Sequence, residues 1–536
     1  MIGKKRILGA VLAANMLAAS FGGGQVLAAD MMNPPTAEVE QGTLRGFMDE
    51  DIYTFLGVPY ATAERFGMPH EVEPWEGVRD AQAYGPVCPI ADQTAVGTDE
   101  LVWPHRYWIQ NENCQNLNIW TPELNEDAKK PVMVFIHGGG FKNGSSIEGA
   151  AYDGKNLSEY GDAVIVSVNH RLNVLGFLDL SAYGEEYENS ANAGMADLLA
   201  ALQWIKNNIA SFGGDPENIT VFGQSGGGMK ILTMLQMPEA EGLFDKAIVE
   251  STGTMRFVEP EQGQMVAEKT LENLGLDETQ IEELKEVPYH DLIEASTDAL
   301  AEVGEELGVS LDWRPTLDET YVCSDFCDWA GEVPMMMGSV FSEFKSTIHV
   351  GDGRKNEWTE EETAANLKDA YGDNAEAIAE EFAKVFPDKK LADAYFYDGA
   401  RRLLVVEPTL DRKLENASAP VYSYLFSYEA PVNGGTTALH CSELSYVFHN
   451  VEIPVVARAT GGSGNETALR LQDEMATAWL NFAKTGDPSQ EGLEWKAYTT
   501  DEKYTMRFDE KSGCSILGDE KLNQLIEEVE QVRVGY

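Results

Sequence analysis

A serine at position 225 stands in a setting that suits a nucleophile. It lies at the centre of the run GQSGG at 223–227, a G-x-S-x-G pattern that directly follows the apolar segment 219–222. Such a serine occupies a tight turn between a strand and a helix, where neighbouring glycines avoid clashes and the hydroxyl is exposed to a base. With 50 glycines in the chain, the pattern could arise by chance. Its position after an apolar strand is what favours a nucleophilic role for Ser225.

A glycine-rich loop follows another apolar segment. The run HGGGF at 137–141 comes immediately after the segment 131–136. Consecutive glycines let backbone N–H groups approach a reacting group closely, so a loop of this kind can stabilise the oxyanion that forms during acyl transfer. A phosphate-binding loop is the alternative, but the run lacks the G-K-S/T ending and the G-x-G-x-x-G spacing. We therefore predict that this loop and Ser225 serve one acyl-transfer site.

The base for Ser225 must come from few candidates. The chain has eight histidines, and four of them follow Ser225. In folds with this serine turn, the catalytic residues come in the order serine, acid, histidine. His290 lies in an acidic helical stretch and His349 leaves little room for an acid before it, so His440 and His449 both remain candidates. Spacing alone selects neither of these two, and it selects no acid.

The elements that must position these residues follow an alternating pattern. The continuous apolar runs at 131–136, 163–168 and 219–222 are typical of parallel strands that are buried on both faces. Between the last two, residues 193–211 carry apolar side chains at helical spacing, with Asn192 as a candidate N-cap. A strand, helix and strand in this order predict an α/β fold with a doubly wound, largely parallel sheet.

Two acidic stretches, 259–301 and 360–384, have a helical pattern and are predicted to lie outside the sheet, around the active-site cleft. The chain shows no internal repeat and no low-complexity linker. We therefore predict that residues 29–536 form a single domain.

The N-terminus has the features of a signal peptide. Lys4, Lys5 and Arg6 precede an apolar stretch at 7–19, and small residues follow as far as Ala28. This pattern predicts that residues 1–28 are a signal peptide that is removed, and hence that the protein is secreted; an N-terminal membrane anchor is the alternative. No later segment is apolar over about 18 residues, so we expect no membrane anchor after cleavage.

The charge balance excludes some partners. The chain has 89 acidic and 39 basic residues, a formal net charge of -50. Nucleic acid and anionic membrane surfaces both favour clustered Lys and Arg, so neither is an expected partner. Hydrophobic residues make up 43% of the chain, which is enough for a large core and excludes a disordered protein.

Six cysteines are present, at 88, 114, 323, 327, 441 and 514, and they allow 15 full pairings among which spacing cannot choose. Cys323 and Cys327 would supply only two ligands of a metal site, and no other Cys or His cluster accompanies them. We therefore predict neither a metal nor a cofactor.

Several ordered segments carry a resemblance to a known family. They are FLGVPYA at 55–61, ENCQNLN at 112–118, NHRL at 169–172, FGGDP at 212–216 and NFAKTGDP at 481–488. Together with the two glycine-rich runs, they resemble the type B carboxylesterases, the family of bacterial para-nitrobenzyl esterases, animal carboxylesterases and cholinesterases. The resemblance spans nearly all of the chain after residue 28. It implies an α/β-hydrolase fold with extra helical segments around the active-site cleft.

The resemblance also assigns a catalytic triad. Ser225 corresponds to the family's nucleophile. The family's acid is a glutamate in a P-x-x-x-G-x-x-x-x-E arrangement, which Pro334, Gly338 and Glu343 fill here. The family's base corresponds to His440, which leaves His449 with a structural role.

The same correspondence implies an oxyanion hole formed by the N–H groups of Gly139, Gly140 and Gly226. It also implies a disulfide between Cys88 and Cys114 that closes a loop at the rim of the cleft. None of the departures from the family's pattern removes a reacting group. Gln224 stands where glutamate is usual, Gly226 where alanine is usual, and Cys441 where glycine usually follows the histidine.

The resemblance implies a secreted serine carboxylesterase that acts through an acyl-enzyme intermediate. The strong negative charge favours a small, uncharged ester as substrate. Three alternatives are open. Trp103 resembles the cholinesterase tryptophan that holds a quaternary ammonium, which would indicate a choline-ester hydrolase, although simple packing of Trp103 and Trp108 is the preferred interpretation. An aromatic (cinnamoyl-type) ester is another substrate class. A non-catalytic binding protein on the same scaffold is the third, but such members usually lack the serine.

Overall fold

The computed structural model describes residues 34–92, 96–97, 100, 102–350 and 354–534. The predicted signal peptide at 1–28 lies outside these residues. Among the residues described, no helix is both long enough and apolar enough to cross a membrane.

Eleven strands of the described residues form one large sheet. They are labelled in chain order: β1 Phe47–Asp49, β2 Ile52–Pro59, β3 Asn116–Thr121, β4 Lys130–Ile136, β5 Val164–Val168, β6 Gly214–Gln224, β7 Lys246–Glu250, β8 Met335–Val340, β9 Val421–Phe426, β10 Tyr504–Phe508 and β11 Gly513–Ile516. Their order across the sheet is β11-β10-β9-β8-β7-β6-β4-β5-β3-β2-β1. From β10 to β5 all pairs are parallel, and antiparallel pairs flank this block on both sides. The predicted parallel sheet is thus confirmed.

The three predicted strands correspond to β4, β5 and the second half of β6. Strand β4 shows why residues 131–136 are all apolar. Val132 and Val134 pack into a core cluster on one face of the sheet, whereas Met133 and Phe135 belong to a second cluster. Because successive side chains of a strand point to opposite faces, a strand covered on both sides must be apolar throughout.

Helices cover both faces of the sheet. The longer ones are α1 Lys155–Gly161, α2 Ala193–Asn208, α3 Gly226–Met234, α4 Pro260–Leu274, α5 Tyr289–Leu307, α6 Glu360–Tyr371, α7 Ala375–Val385, α8 Glu407–Glu415, α9 Glu466–Thr485 and α10 Glu520–Val534. Short helices lie at Asn173–Phe177, Ile281–Leu284, Thr347–Val350, Gly399–Arg401, Leu444–Val447 and Ala457–Thr460. There are also two small sheets. In one, the central strand Gly42–Arg45 pairs with Thr36–Val39 on one side and Val78–Asp80 on the other; in the second, Ala61–Thr62 pairs with His70–Glu71.

The predicted helices are present with changed boundaries. Helix α2 ends at Asn208 and a short 3₁₀ turn, Ile209–Phe212, continues it. The stretch 259–301 divides into α4, a short helix and α5, and the stretch 360–384 into α6 and α7. Asn192 occupies the predicted N-cap position of α2, but its side chain makes no capping bond: its amide nitrogen donates to the carbonyl of Thr316 at 3.1 Å, and its amide oxygen accepts from the N–H of Thr316 at 3.0 Å. A long-range contact therefore outcompetes the local cap.

Candidate active site

Ser225 lies at the carboxyl end of β6, where the chain turns into α3. Its backbone has φ 57° and ψ −120°, a conformation that non-glycine residues rarely adopt. The Ser225 N–H donates to the carbonyl of Glu250 on the neighbouring strand β7 at 2.8 Å, which anchors the turn to the sheet. The side chain is partly exposed, whereas the residues on either side of it are buried. The predicted strand-to-helix turn is thus present, with Ser225 at its apex.

The glycine-rich loop after β4 packs directly against this turn. A Cβ atom on Gly226 would lie 2.4 Å from the backbone N and O of Gly140, so the position accepts glycine but not the alanine usual in the family. Gly139 has φ +81°, and a Cβ there would lie 2.3 Å from the carbonyl oxygen of Asn143. The structure therefore brings together all three glycines predicted to form an oxyanion hole.

Lys230 connects helix α3 to the same loop. Its side chain is fully buried, and its Nζ donates to the carbonyl of His137 at 3.0 Å. Burial lowers the pKa of Lys230 from its ordinary value to about 7. The sequence interpretation missed this residue, although a lysine within the apolar stretch MKILTML at 229–235 was a visible signal.

Glu343 and His440 meet across the carboxyl edge of the sheet. Glu343 follows β8 and is fully buried; one carboxylate oxygen, Oε2, lies 2.5 Å from Nδ1 of His440. The other oxygen, Oε1, accepts from the N–H of Val340 at 3.2 Å. The backbones also pair, since the N–H of His440 donates to the carbonyl of Glu343 at 3.3 Å. These contacts orient the imidazole with its Nε2 directed away from the carboxylate.

Two further buried glutamates lie near the site but do not contact His440. Glu250 accepts from Nε1 of Trp479 at 2.7 Å, and Glu443 accepts from the hydroxyl of Ser251 at 3.0 Å. Burial raises the pKa of Glu250 to about 8, and burial together with the neighbouring carboxylates raises the pKa of Glu443 well above its ordinary value. Among these three glutamates, Glu343 is the one whose carboxylate is bonded to the His440 ring.

The His440 ring has two more neighbours. Nε2 of Gln224 lies 3.2 Å from Nε2 and 3.3 Å from Nδ1 of the imidazole. The ring of Phe344, which is 58% exposed, lies with its centroid 4.4 Å from that of the imidazole. Among the hydrogen bonds of the described residues, none joins the Ser225 hydroxyl to His440. Such a bond commonly tightens only when substrate is bound.

His449 and the main basic residue of the motifs are engaged by other side chains, whereas His290 lies on the surface. Nε2 of His449 binds Asp473 at 2.8 Å, and its ring stacks on Tyr160 with centroids 4.1 Å apart. His290 is exposed on α5. Arg171 is buried and makes a two-point ion pair with Asp197, so it is no anion anchor.

The predicted disulfide between Cys88 and Cys114 is not formed in the structure. Both residues are buried thiols, and the Sγ of Cys88 accepts from the N–H of Leu172 at 3.2 Å. The two side chains are nevertheless neighbours. Burial, together with the hydrogen bond to the adjacent Cys88 thiol, raises the pKa of Cys114. The cysteines are thus brought together as predicted, but as a thiol pair.

Trp103 is 8% exposed and packs against Tyr152, whereas Trp108 is 42% exposed and contacts Tyr84 edge to face. This matches the packing interpretation of Trp103 rather than a cation site. Among the residues that the structure describes, no three His, Cys, Asp or Glu side chains are grouped in a way that could hold a metal ion.

Comparisons with known proteins agree with this geometry. The sequence profile of the Carboxylesterase family matches residues 33–525. A para-nitrobenzyl esterase of Bacillus subtilis (strain 168) is 33% identical over 487 residues, which cover 88% of this chain and 94% of the relative. A phenmedipham hydrolase of Pseudarthrobacter oxydans is 30% identical over 492 residues, again covering 88% of this chain and 94% of the relative.

A solved structure shows the same architecture. It is an esterase of Clostridium hathewayi, described as able to hydrolyze aliphatic aromatic polyesters, and it is 40% identical with a TM-score of 0.85. The match covers 93% of this chain and 98% of that structure. The chain therefore belongs to the carboxylesterase family, has an α/β-hydrolase fold and is a carboxylic ester hydrolase.

Proposed function

We propose that the protein hydrolyses carboxylic esters through a Ser225–His440–Glu343 triad and an acyl-enzyme intermediate. One observation carries the proposal: the buried Glu343 carboxylate is bonded to Nδ1 of His440 at 2.5 Å, next to the turn that exposes Ser225. A carboxylate on Nδ1 keeps the proton there, which leaves Nε2 as the acceptor that a general base needs.

The reaction begins when Nε2 of His440 takes the proton of the Ser225 hydroxyl while Oγ attacks the ester carbonyl. Glu343 stabilises the imidazolium that forms. The imidazolium then donates its proton to the leaving alcohol, and an ester bond between Ser225 and the acyl group remains. Water, activated by the same histidine, hydrolyses this acyl-enzyme and restores the serine.

The N–H groups of Gly139, Gly140 and Gly226 bind the oxyanion in both halves of the reaction. The close packing of Gly226 on Gly140 supports this role, because it sets the loop and the turn at a fixed separation before substrate arrives. A preorganised set of donors needs no rearrangement as negative charge develops, and the loss of one such donor typically costs ~10²–10³ in rate.

The substrate is an uncharged ester with an apolar part. Phe344 presents an exposed aromatic ring beside His440, and two basic residues of the motifs and of α3, Arg171 and Lys230, are both buried and engaged by protein groups. A carboxylate on the substrate would therefore find no free basic partner among these side chains. The aliphatic aromatic polyesters named for the Clostridium hathewayi relative are of this uncharged, partly aromatic kind.

Substitution of the nucleophile tests the proposal. The Ser225→Ala variant should lose turnover of an uncharged ester entirely while it keeps the wild-type melting temperature, because the hydroxyl is small and strand burial carries the stability. The measurement is the steady-state rate alongside thermal unfolding, in protein free of wild-type enzyme. An active Ser225→Ala variant would refute the serine mechanism.

We also propose that the protein is exported and that residues 1–28 are removed. The adjacent thiols of Cys88 and Cys114 are then positioned to form a disulfide in an oxidising compartment. Mass mapping of protein recovered from the culture medium should find an N-terminus at residue 29 and these two cysteines joined. Recovery of an intact N-terminus would contradict the cleavage, and free thiols at both positions would contradict the pairing.

A further inference from the structure

Two departures from the family's pattern touch each other beside the catalytic histidine. Gln224 immediately precedes Ser225, and Cys441 immediately follows His440. The two lie 217 residues apart in sequence, and the thiol of Cys441 donates to Oε1 of Gln224 at 3.1 Å. Gln224 is 1% exposed, so its amide has little access to water as an alternative partner.

The thiol and the imidazole contact opposite ends of the Gln224 amide. A primary amide has one accepting end and one donating end. The accepting Oε1 faces the thiol of Cys441, and the donating Nε2 faces the imidazole, 3.2 Å from its Nε2 and 3.3 Å from its Nδ1. The nearly equal distances place the amide nitrogen beside the ring as a whole rather than in line with one ring nitrogen.

The backbone of Cys441 is strained, which indicates that its side chain has a role beyond the turn. Cys441 has φ +72°, a left-handed conformation that glycine adopts freely and other residues adopt only with strain. Glycine would adopt this backbone conformation without strain, so the turn itself does not require a cysteine. Its side chain contributes the contact to Gln224.

We propose that Gln224 and Cys441 form a positioning pair that holds the imidazole of His440 in its catalytic orientation, with Cys441 acting through the Gln224 amide. The proposal rests on the proposed function, since it assigns this pair to the histidine of the triad. Glu343 restrains one edge of the ring through Nδ1. The amide restrains the ring from a second direction, so the two contacts together limit rotation that would move Nε2 away from Ser225.

The test uses four variants of the full chain and an uncharged ester. Cys441→Gly removes the donor and relieves the left-handed strain, so it should fold at least as well as the wild type yet have kcat about 10-fold lower, with KM changed less than about twofold. Cys441→Ser keeps a donor at the same position and should recover most of the lost kcat. Gln224→Met, which has a similar shape and no polar end, should lower kcat at least as much as Cys441→Gly.

The double variant Cys441→Gly with Gln224→Met distinguishes a pair from two independent residues. If Cys441 acts through the amide, the double variant should have the same kcat as Gln224→Met alone. A further 10-fold loss in the double variant, wild-type kcat in Cys441→Gly, or Cys441→Ser as slow as Cys441→Gly would each overturn the positioning pair.

The Ser225→Ala variant, assayed in parallel, separates this proposal from the one on which it rests. An inactive Ser225→Ala together with a fully active Cys441→Gly leaves the triad intact and refutes the pair alone. An active Ser225→Ala refutes the triad and, with it, the pair.

Discussion

At the scale of single residues, three of the twelve non-glycine residues with positive φ in the described part of the chain lie at the site. Ser225, Glu343 and Cys441 all have positive φ, at 57°, 43° and 72°. Each such residue costs about 1–3 kcal/mol and persists only where its surroundings hold it. The conformation of Ser225 is held by the hydrogen bond from its N–H to the carbonyl of Glu250, and that of Glu343 by the backbone pairing with His440. Within the site, the strain therefore falls on the nucleophile and the acid of the proposed triad and on the residue that follows its histidine.

The role of Glu343 predicts the effect of removing only its charge. Glu343→Gln keeps the size of the side chain and an oxygen that can accept from Nδ1, but it no longer stabilises the imidazolium. We expect kcat to fall by about 10²–10⁴, with the fold retained. Steady-state kinetics and thermal unfolding measure the two quantities.

The matched control for this substitution is Glu332→Gln. Glu332 lies eleven positions before Glu343 on the exposed surface, just before β8, so the same chemical change should leave kcat unaffected. Equal losses in the two variants would show that the family's register had been applied to the wrong glutamate.

At the scale of elements, the site depends on loops that leave one edge of the sheet. The glycine-rich loop follows β4, the serine turn follows β6, Glu343 follows β8, and His440 lies in the segment after β9. The carboxyl ends of parallel strands meet at one edge, where open α/β sheets bind ligands. Residues as far apart in sequence as 137 and 440 can share a site for this reason.

The contact between Lys230 and His137 joins α3, the helix after the serine turn, to the glycine-rich loop. Its loss should therefore weaken the oxyanion hole. Lys230→Met fills a similar volume but leaves the carbonyl of His137 without its partner. The glycine loop then becomes less well positioned while its donors remain, so we expect kcat to fall about 10-fold, less than the ~10²–10³ for outright loss of a donor. Steady-state kcat and KM measure the effect.

Lys384→Met is the control for this prediction. Lys384 is exposed on α7 and pairs only with Glu381 in the hydrogen bonds that the structure describes, so its replacement should leave kcat unchanged. A Lys230→Met variant with wild-type kcat would show that the buried lysine serves the packing of α3 and has no part in catalysis.

At the scale of the whole molecule, charge is the dominant feature. After removal of residues 1–28 the chain would have 36 basic and 89 acidic residues, a net charge of -53. Such a field slows the approach of anions and is screened by salt, with a Debye length of about 20 Å at 20 mM and about 4 Å at 500 mM.

This field predicts a salt-dependent substrate preference. We expect a neutral ester to exceed a matched carboxylate-bearing ester in kcat/KM by about tenfold at about 20 mM salt, and the gap to narrow at about 500 mM salt. The comparison at the two salt concentrations is the measurement, and the neutral ester provides its internal control. A carboxylate-bearing ester that is the better substrate at low salt would contradict the prediction and indicate a local basic pocket.

The sequence by itself determined the features that local pattern and burial control. Strands β4, β5 and β6 were predictable because a strand covered on both faces carries a largely apolar run, as at 131–136, 163–168 and 219–222. The serine turn was predictable because the two glycines of the G-x-S-x-G pattern, Gly223 and Gly227, lie where the backbone of Ile136 approaches too closely for a side chain. The resemblance to the family added the register that selects Glu343 and His440, which spacing alone left open.

Only the tertiary structure decided which distant side chains touch. Glu343 and His440 are 97 residues apart, and Cys441 and Gln224 are 217 apart. Neither contact follows from a local period, because each depends on which loops leave the same edge of the sheet. The same is true of Lys230, whose partner is a backbone carbonyl on another strand's loop, and of Asn192, which a distant backbone segment diverts from its helix cap. Long-range polar contacts are set by the packing of the whole fold, since their partners become neighbours only when the sheet is assembled.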